Sequence, residues 1–538
     1  MSYQNGKNLH LDRRNFIKLL FGALVISKGA FAKHNSWYKT HLEKLNKSRR
    51  IVAYFDINAG QNHIFGIEVN KWVDFRFNFV DEPNNQIDSI YFCLDGGNIS
   101  YYPSEILPLI NSKGINEWLN SGIDILKISI EETHKRELEA FYSHRMNGSD
   151  RDVSHSPAII PLKEKNPNWL IPEAQWKPGL WNYGKKGVRE HKLQVLTELA
   201  QNYNLDGIDL DFMRTPPFFP NGEAWTSRES LTELMRSVRK MLTSIAKERG
   251  RPYLLSIRIP RNIEGCHFIG IDIEKWAKEK LVDIMIIGTR SIKVDLPSFK
   301  KITEGTNIKL IPCFDDAAHF PSGYHDPGIE FERGVFTNWW HQGADSVATF
   351  NWSFASQYLY DKLEYNHYMP KSHQQAYKEI GSYETMIFKN KTFVIPRRFG
   401  VTTSPDNEYR WNNYANLNFE NPLPALTKSN EPLVLKIDIG DDISNQTANI
   451  SKLNLHLVYE IKDNIVSNKS EEIFSDLRNI DVKINGKDLM SLERDTDKKL
   501  FVFDVDSKQL VHGVNMIYLR SKVSLIIEKI ELHVKYNN

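Results

Sequence analysis

Residues Asp206-Gly-Ile-Asp-Leu-Asp-Phe-Met-Arg214 decide how this chain folds. Ile208, Leu210 and Phe212 alternate with Asp209 and Asp211, the period-two pattern of a strand with one apolar face and one acidic face. Two carboxylates on one face repel each other and lose hydration on burial, so a fold keeps them where they are hydrogen-bonded, metal-bound or used. The helix-forming stretch Val188 to Tyr203 precedes this strand, and the loop Arg214-Thr-Pro-Pro-Phe-Phe-Pro220 follows it. That order suits the catalytic rim of a β/α barrel, while acids that merely satisfy internal arginines would give the same text.

Working outward, strand-like and helix-like segments alternate between residues 50 and 385. The strands are expected at Ile51–Asp56, Ser89–Asp95, Leu138–Arg145, Gly207–Phe212, Tyr253–Ile259, Val282–Gly288, Ile308–Phe314 and Ser346–Trp352. Helices are expected at Ser227–Arg249, Asp272–Lys280 and Glu330–Gln342. Eight strands with interleaved helices predict a (β/α)8 TIM barrel over residues 45–385 with enlarged loops. A doubly wound sheet is the alternative, but no Gly-rich phosphate loop follows any strand. The longest insertion, Met146 to Tyr183, holds Trp169, Trp176 and Trp181, and a loop of that size after a strand points to function.

Past residue 390 the helical patterns stop. Short alternating runs follow at Leu433–Ile439, Leu453–Ile461, Asp481–Ile484, Phe501–Val505, Asn515–Leu519 and Ile527–Lys535, with Asn485-Gly486 as a hairpin signal. An all-β sandwich over residues 392–538 is expected. The Ile484-Asn-Gly486 and His512-Gly-Val-Asn515 runs resemble jelly-roll accessory domains of secreted carbohydrate enzymes. Packing alone and sugar binding both remain open for it. Pro396, Gly400 and Pro405 place the expected break between the two parts near residues 386–405.

Residues 1–32 read as an address. Arg13-Arg14, Phe16 and Lys18 lead into an apolar run, Leu19 to Ser27, too short for a permanent membrane span. The arrangement resembles a twin-arginine export signal, with Asp12 where Ser or Thr is usual, and Ala30 and Ala32 predict a mature start near Lys33. The resemblance implies a bacterial protein, folded before export, that is periplasmic or secreted and has no membrane contact once the signal is cleaved. With 69 basic against 67 acidic residues, nucleic-acid binding has no electrostatic footprint. Cys93, Cys266 and Cys313 form neither a disulfide framework nor a zinc spacing. Aromatic residues make up 12% of the chain, a richness that fits both a core and the stacking of sugars. No cofactor and no metal are expected, and the oligomeric state is not legible.

Given a barrel, residues at the carboxyl ends of its strands become candidates. Asp211 ends the fourth strand and Asp315-Asp316 end the seventh, while Asp209 lies deeper on the fourth. These four are the expected catalytic carboxylates, Asp211 foremost. Asp209 is expected to raise one pKa of the pair by like charge and to anchor Arg258 or another inward partner. Arg145, Asn147, Trp181, Arg214, Arg258, Asn351 and Trp352 are the candidate substrate contacts. Acids, arginines, amides and indoles on one rim compose a sugar site: carboxylates for proton transfer and cation stabilisation, rings for the pyranose face.

The segment from Trp181-Asn-Tyr183 through Asp206-Gly-Ile-Asp-Leu-Asp-Phe-Met-Arg-Thr-Pro216 resembles the bacterial glycosyl hydrolase-like 10 barrels. Arg145-Met-Asn147 and Gly343-Ala-Asp345 with Phe350-Asn-Trp352 add to the likeness. It implies a glycoside hydrolase acting on a polysaccharide or oligosaccharide. The same strand also resembles that of family 18 chitinases, whose motif ends in a catalytic Glu where this chain has Met213, and clan A enzymes carry Glu where this chain offers Asp211 and Asp315 or Asp316. Two rival readings stand beside this one. A metal-dependent barrel hydrolase would need His-x-His after the first strand, where Tyr54-Phe-Asp-Ile-Asn58 stands, although His319, His325 and Asp326 cluster after the seventh. The other rival is a glycan-binding protein without turnover.

Overall fold

The computed structural model describes residues 37–56, 68–94, 97–148, 150, 157–174, 179–288, 291–315, 328–352, 372–397, 422–461, 480–495 and 497–537. The export-signal reading therefore lies outside the described residues. Eight parallel strands close on themselves in sequence order: β1 (Ile51–Asp56), β2 (Ile87–Cys93), β3 (Glu139–Arg145), β4 (Gly207–Asp211), β5 (Leu254–Ile259), β6 (Ile284–Ile287), β7 (Lys309–Asp315) and β8 (Val347–Phe350), with β8 pairing β1. All eight fall within the expected stretches to within two residues at either end.

The period-two pattern of β4 sorts its residues as expected. Ile208 and Leu210 join the large apolar cluster that also takes in Val195, Leu199, Leu234, Met235 and Val238 of the surrounding helices Lys186–Asn202 and Arg228–Glu248. On the opposite parity, Tyr54, Tyr91, Phe141, Leu254, Ile286, Ile311, Cys313 and Phe350 form a separate apolar cluster. Asp209 and Asp211 stand among these inward positions, paired in register with Ser143 and Arg145 on one side and Ser256 and Arg258 on the other.

Gly207 opens β4 because nothing larger fits. A Cβ there would lie 2.1 Å from Phe141 Cε1 and 2.7 Å from the Leu254 carbonyl oxygen. The amino-terminal end of the barrel is closed by charge. Glu139 takes Arg49, Lys44 and the Ser89 hydroxyl. Asp206 takes Lys44, His134 and the Ala140 N–H, and Asp283 takes His41, Arg239 and the Leu255 N–H. Asp206, the first acid of the diagnostic stretch, thus belongs to the stability face of the barrel rather than to its rim.

The carboxyl-terminal part is two antiparallel sheets over one apolar core. One sheet runs β10 (Ala425–Leu426), β18 (Leu525–Tyr536), β12 (Ile450–Ile461), β16 (Leu500–Asp504) and β15 (Met490–Asp495), with β9 (Lys391–Val394) also on β18. The other runs β11 (Leu433–Ile439), β17 (Gly513–Arg520), β13 (Asp481–Ile484) and β14 (Lys487–Asp488). Leu435, Ile437, Leu455, Leu457, Ile517, Ile530 and Leu532 of the two sheets share that core. Asn485 and Gly486 both adopt positive φ, as a two-residue hairpin between β13 and β14 requires. The stretch expected to break the chain in two holds β9, whose four residues, Lys-Thr-Phe-Val, are too few for an alternation to read.

Helix Ile329–His341 lies between the two parts. Phe331, Phe336 and Trp339 pack in the barrel cluster, while a Cβ on Gly334 would meet the Thr392 carbonyl oxygen of β9 at 2.2 Å. Asn338 Nδ2 donates to the Asp438 carbonyl at 3.1 Å, and Lys535 bonds Glu330 at 2.6 Å. No helix among the described residues is long and apolar enough to cross a membrane.

Candidate active site

At the carboxyl end of the barrel, strand register sets acids and arginines side by side. Asp56 ends β1, Arg145 ends β3, Asp211 ends β4 and Arg258 lies one residue from the end of β5. Asp211 is fully buried. Its Oδ1 accepts from the Met213 and Arg214 backbone N–H groups at 2.8 and 3.1 Å, and its Oδ2 lies 3.3 Å from Arg258 Nη1. Two backbone donors and a guanidinium thus converge on this one carboxylate. Arg258 is itself held over the faces of Phe350 and Tyr54, with its guanidinium carbon 4.0 and 5.6 Å from the ring centroids.

Asp209, one layer deeper, differs in kind. It is fully buried and accepts one hydrogen bond from Ser143 Oγ at 2.7 Å. Burial, helped by the like charge of Asp211, outweighs the Ser143 and Ser256 hydroxyls and Arg258 and pushes its carboxyl up to about 6. Of the partners expected for Asp209, Arg258 or another inward residue, it holds the inward Ser143, while the Arg258 guanidinium bonds Asp211, the acid level with it in register.

Sequence reading passed over Asp56. It is the least buried acid of the group, with 13% of its side chain exposed, and its Oδ2 lies 2.5 Å from Arg145 Nη2. Its backbone N–H donates to Asn351 Oδ1 at 3.0 Å, and Asn351 holds a left-handed φ of 60° just after β8. Burial works against the Arg145 charge, but Asp56, with Cys93 and Asp211 behind it, more than compensates, so its pKa lies above the ordinary arginine value. The strand-end rule that singles out Asp211 applies equally to Asp56, the last residue of β1.

Several buried polar atoms in this group have no hydrogen-bond partner among the described residues: Asp56 Oδ1, Arg145 Nε, the Tyr54 hydroxyl and the Trp352 indole N–H. Such atoms are rare in folded proteins and usually await water or a ligand. Other candidates are spent on the protein itself. Asn147 is buried and clamps the Trp181 backbone and the Pro217 carbonyl through its amide. The Trp181 ring is buried, its N–H given to Asn98, with Trp169 and His191 against it. These two residues brace the loop after β3 and do not present themselves to a ligand. Trp352 differs: its ring is buried and stacked on His373 at 3.7 Å between centroids, while its N–H is among the unpartnered atoms above. Arg214 reaches Asp211 through its backbone. Asp315 is the last residue of β7; its side chain and Asp316 lie outside the described residues, as do His319, His325 and Asp326. Met213 is buried where the chitinase motif would place an acid.

Comparison with known proteins gives one family and several structures. Residues 72–245 match the family described as Glycosyl hydrolase-like 10. Among curated protein sequences, none matches significantly. The glycoside hydrolase domain of PgaB from Bordetella bronchiseptica is 9% identical over 62% of this chain and 99% of its own, with a TM-score of 0.43. An alpha-amylase from Geobacillus thermoleovorans is 10% identical over 89% of this chain and 100% of its own, at 0.38. A maltogenic alpha-amylase from Thermotoga neapolitana is 9% identical over 89% and 98%, at 0.37.

Proposed function

We propose that this chain, whose barrel matches the glycosyl hydrolase-like 10 family over residues 72–245, is a secreted glycoside hydrolase that cleaves a polysaccharide or oligosaccharide at its barrel rim. The observation that carries the reading is the acid–arginine group at the carboxyl end of the strands, with buried polar atoms around it that have no partner among the described residues. Hydrolysis of a glycosidic bond passes through a cation-like sugar and needs one ionised carboxylate and one proton donor. Asp211, gripped by two N–H groups and Arg258, takes the first role. Asp315 or Asp316 supplies the second; β7, which ends at Asp315, is three strands round the closed barrel from β4. Asp56 Oδ1, Arg145 and the Trp352 N–H bind sugar hydroxyls. Asp209 positions Asp211 from below without touching substrate.

Asp211→Asn removes the charge at almost unchanged volume. Turnover is expected to fall by about 10² to 10⁴ while glycan binding persists, scored on a polysaccharide panel with reducing-end detection. Undiminished turnover would shift the catalytic assignment to Asp315 and Asp316. A second reading, glycan binding without turnover, is favoured by one fact: both Asp211 oxygens are already engaged within the protein. Binding by the wild type with no hydrolysis of any glycan would establish it. Export follows from the amino-terminal arginines, and Arg13→Lys with Arg14→Lys is expected to leave the precursor in the cytoplasm; mature periplasmic protein from that variant would refute it.

A further inference from the structure

Far from the barrel rim, the carboxyl-terminal sheet brings two imidazoles and a carboxylate to one point. His456 of β12 and Glu531 of β18 are direct cross-strand partners, and His533 lies two residues along β18 on the same face. Leu455, Leu457, Leu532 and Val534, on the alternate parity, fill the sandwich core, so the three polar residues share the opposite face. All three are half-buried. The two imidazole rings stand 4.0 Å apart between centroids, and His533 Nε2 lies 3.2 Å from Glu531 Oε2. One donor atom from each residue falls within 4.8 Å of the other two.

We propose that His456, Glu531 and His533 form a binding site for a divalent transition-metal ion, zinc being the natural fit. Tetrahedral zinc with bonds of about 2.0–2.1 Å holds its donors roughly 3.3 Å apart. The His533–Glu531 edge already has that length at 3.2 Å, and a donor atom of His456 lies within 4.8 Å of both. A ligating histidine usually gives its other ring N–H to a fixed oxygen, which sets the tautomer and the ring plane. Thr392 of β9 supplies that oxygen: its Oγ1 lies 3.2 Å from His533 Nδ1, leaving Nε2 to face Glu531 and the metal. Cross-strand packing alone would account for one histidine beside a glutamate. Two imidazoles in contact, aimed with a carboxylate at a common point and with one ring braced from behind, match a three-ligand metal site with a fourth position for water. The ion would tie β12, β18 and β9 together where the sandwich meets the barrel. Lys452 and Lys529 lie within electrostatic reach of His456 and Glu531 and weaken the attraction for a cation.

The test uses the untagged, chelator-stripped full chain titrated with zinc chloride in competition with a chromophoric chelator. One equivalent of zinc is expected to bind and to raise the melting temperature. The double variant His456→Gln, His533→Gln, with unchanged circular dichroism, is expected to bind at least tenfold more weakly, since even losing an outer partner of a ligand costs about 10- to 100-fold. Thr392→Val should weaken binding less than the double variant does. Absence of stoichiometric zinc on the wild type, or binding by the double variant equal to the wild type, overturns the proposal. If the double variant does not fold, Glu531→Gln decides by the same comparison.

Discussion

Asp209→Asn is expected to stabilise the protein above neutral pH, although it removes an acid from the centre of the diagnostic strand. In the folded chain the Asp209 carboxyl titrates at about 6, against an ordinary value of 3.8. An acid whose pKa rises on folding opposes folding when charged, and the cost grows as pH climbs from 3.8 towards 6 and is complete above it. That rise corresponds to a penalty on the order of 3 kcal/mol. Asparagine carries no charge, and its carbonyl oxygen still accepts the Ser143 hydroxyl that now bonds Asp209 Oδ2. Allowing for imperfect replacement of the second oxygen, the variant should gain about 1–3 kcal/mol at pH 8, on the order of 5 °C in the barrel's melting temperature. Below pH 4 the wild-type carboxyl is itself protonated and the gain should vanish. Thermal unfolding of both proteins across pH 4 to 8 reads the effect. A gain independent of pH, or a variant less stable at pH 8, would refute the reasoning and make the charge of Asp209 a structural requirement.

Gly207→Ala should destabilise the barrel by about 1–3 kcal/mol or more, because its Cβ meets Phe141 at 2.1 Å and the Leu254 carbonyl at 2.7 Å; denaturation of Gly207→Ala with Phe141→Leu should recover only part, since the Leu254 backbone cannot retreat. Asp283 behaves oppositely to Asp209: burial raises its pKa, but Arg239, His41 and the Leu255 N–H overcome that and leave it at about 2. It therefore contributes about 2 kcal/mol that is complete above its ordinary 3.8 and is lost as pH falls towards 2, so Asp283→Asn should cost stability at pH 7 and little at pH 2 by denaturant titration.

The barrel was legible because each strand of a closed parallel sheet is buried on both faces and reads as a compact apolar run, as Ile284–Ile287 does. The missed strands carry no such signal. β15 reads Met-Ser-Leu-Glu-Arg-Asp along a sheet edge, and β10 and β14 are two residues each. Within the site, strand-end position found Asp211, Arg145 and Arg258, since register alone fixes them. It could not separate Trp181 and Asn147 from ligand-facing residues, because an indole packed on Trp169 and one awaiting a sugar are written with the same letter. The His456, Glu531 and His533 group escaped for a different reason: its members are joined by a cross-strand register that no spacing in the sequence reports.

Helix Ile329–His341 connects β7 to β8 and is therefore part of the barrel wall, yet its outer surface is cut to the backbone of the carboxyl-terminal sheets. Gly334 leaves room for the Thr392 carbonyl, and Gly440 lies so close under Thr337 that a Cβ would come within 2.6 Å of its carbonyl oxygen. A glycine on each side of the seam means that neither surface was shaped independently of the other. The sandwich is thus less a passenger than a missing layer of the barrel's own shell. Removing it would bare the backbone-tight face of that helix, where Gly334 and Thr337 now meet the carboxyl-terminal sheets.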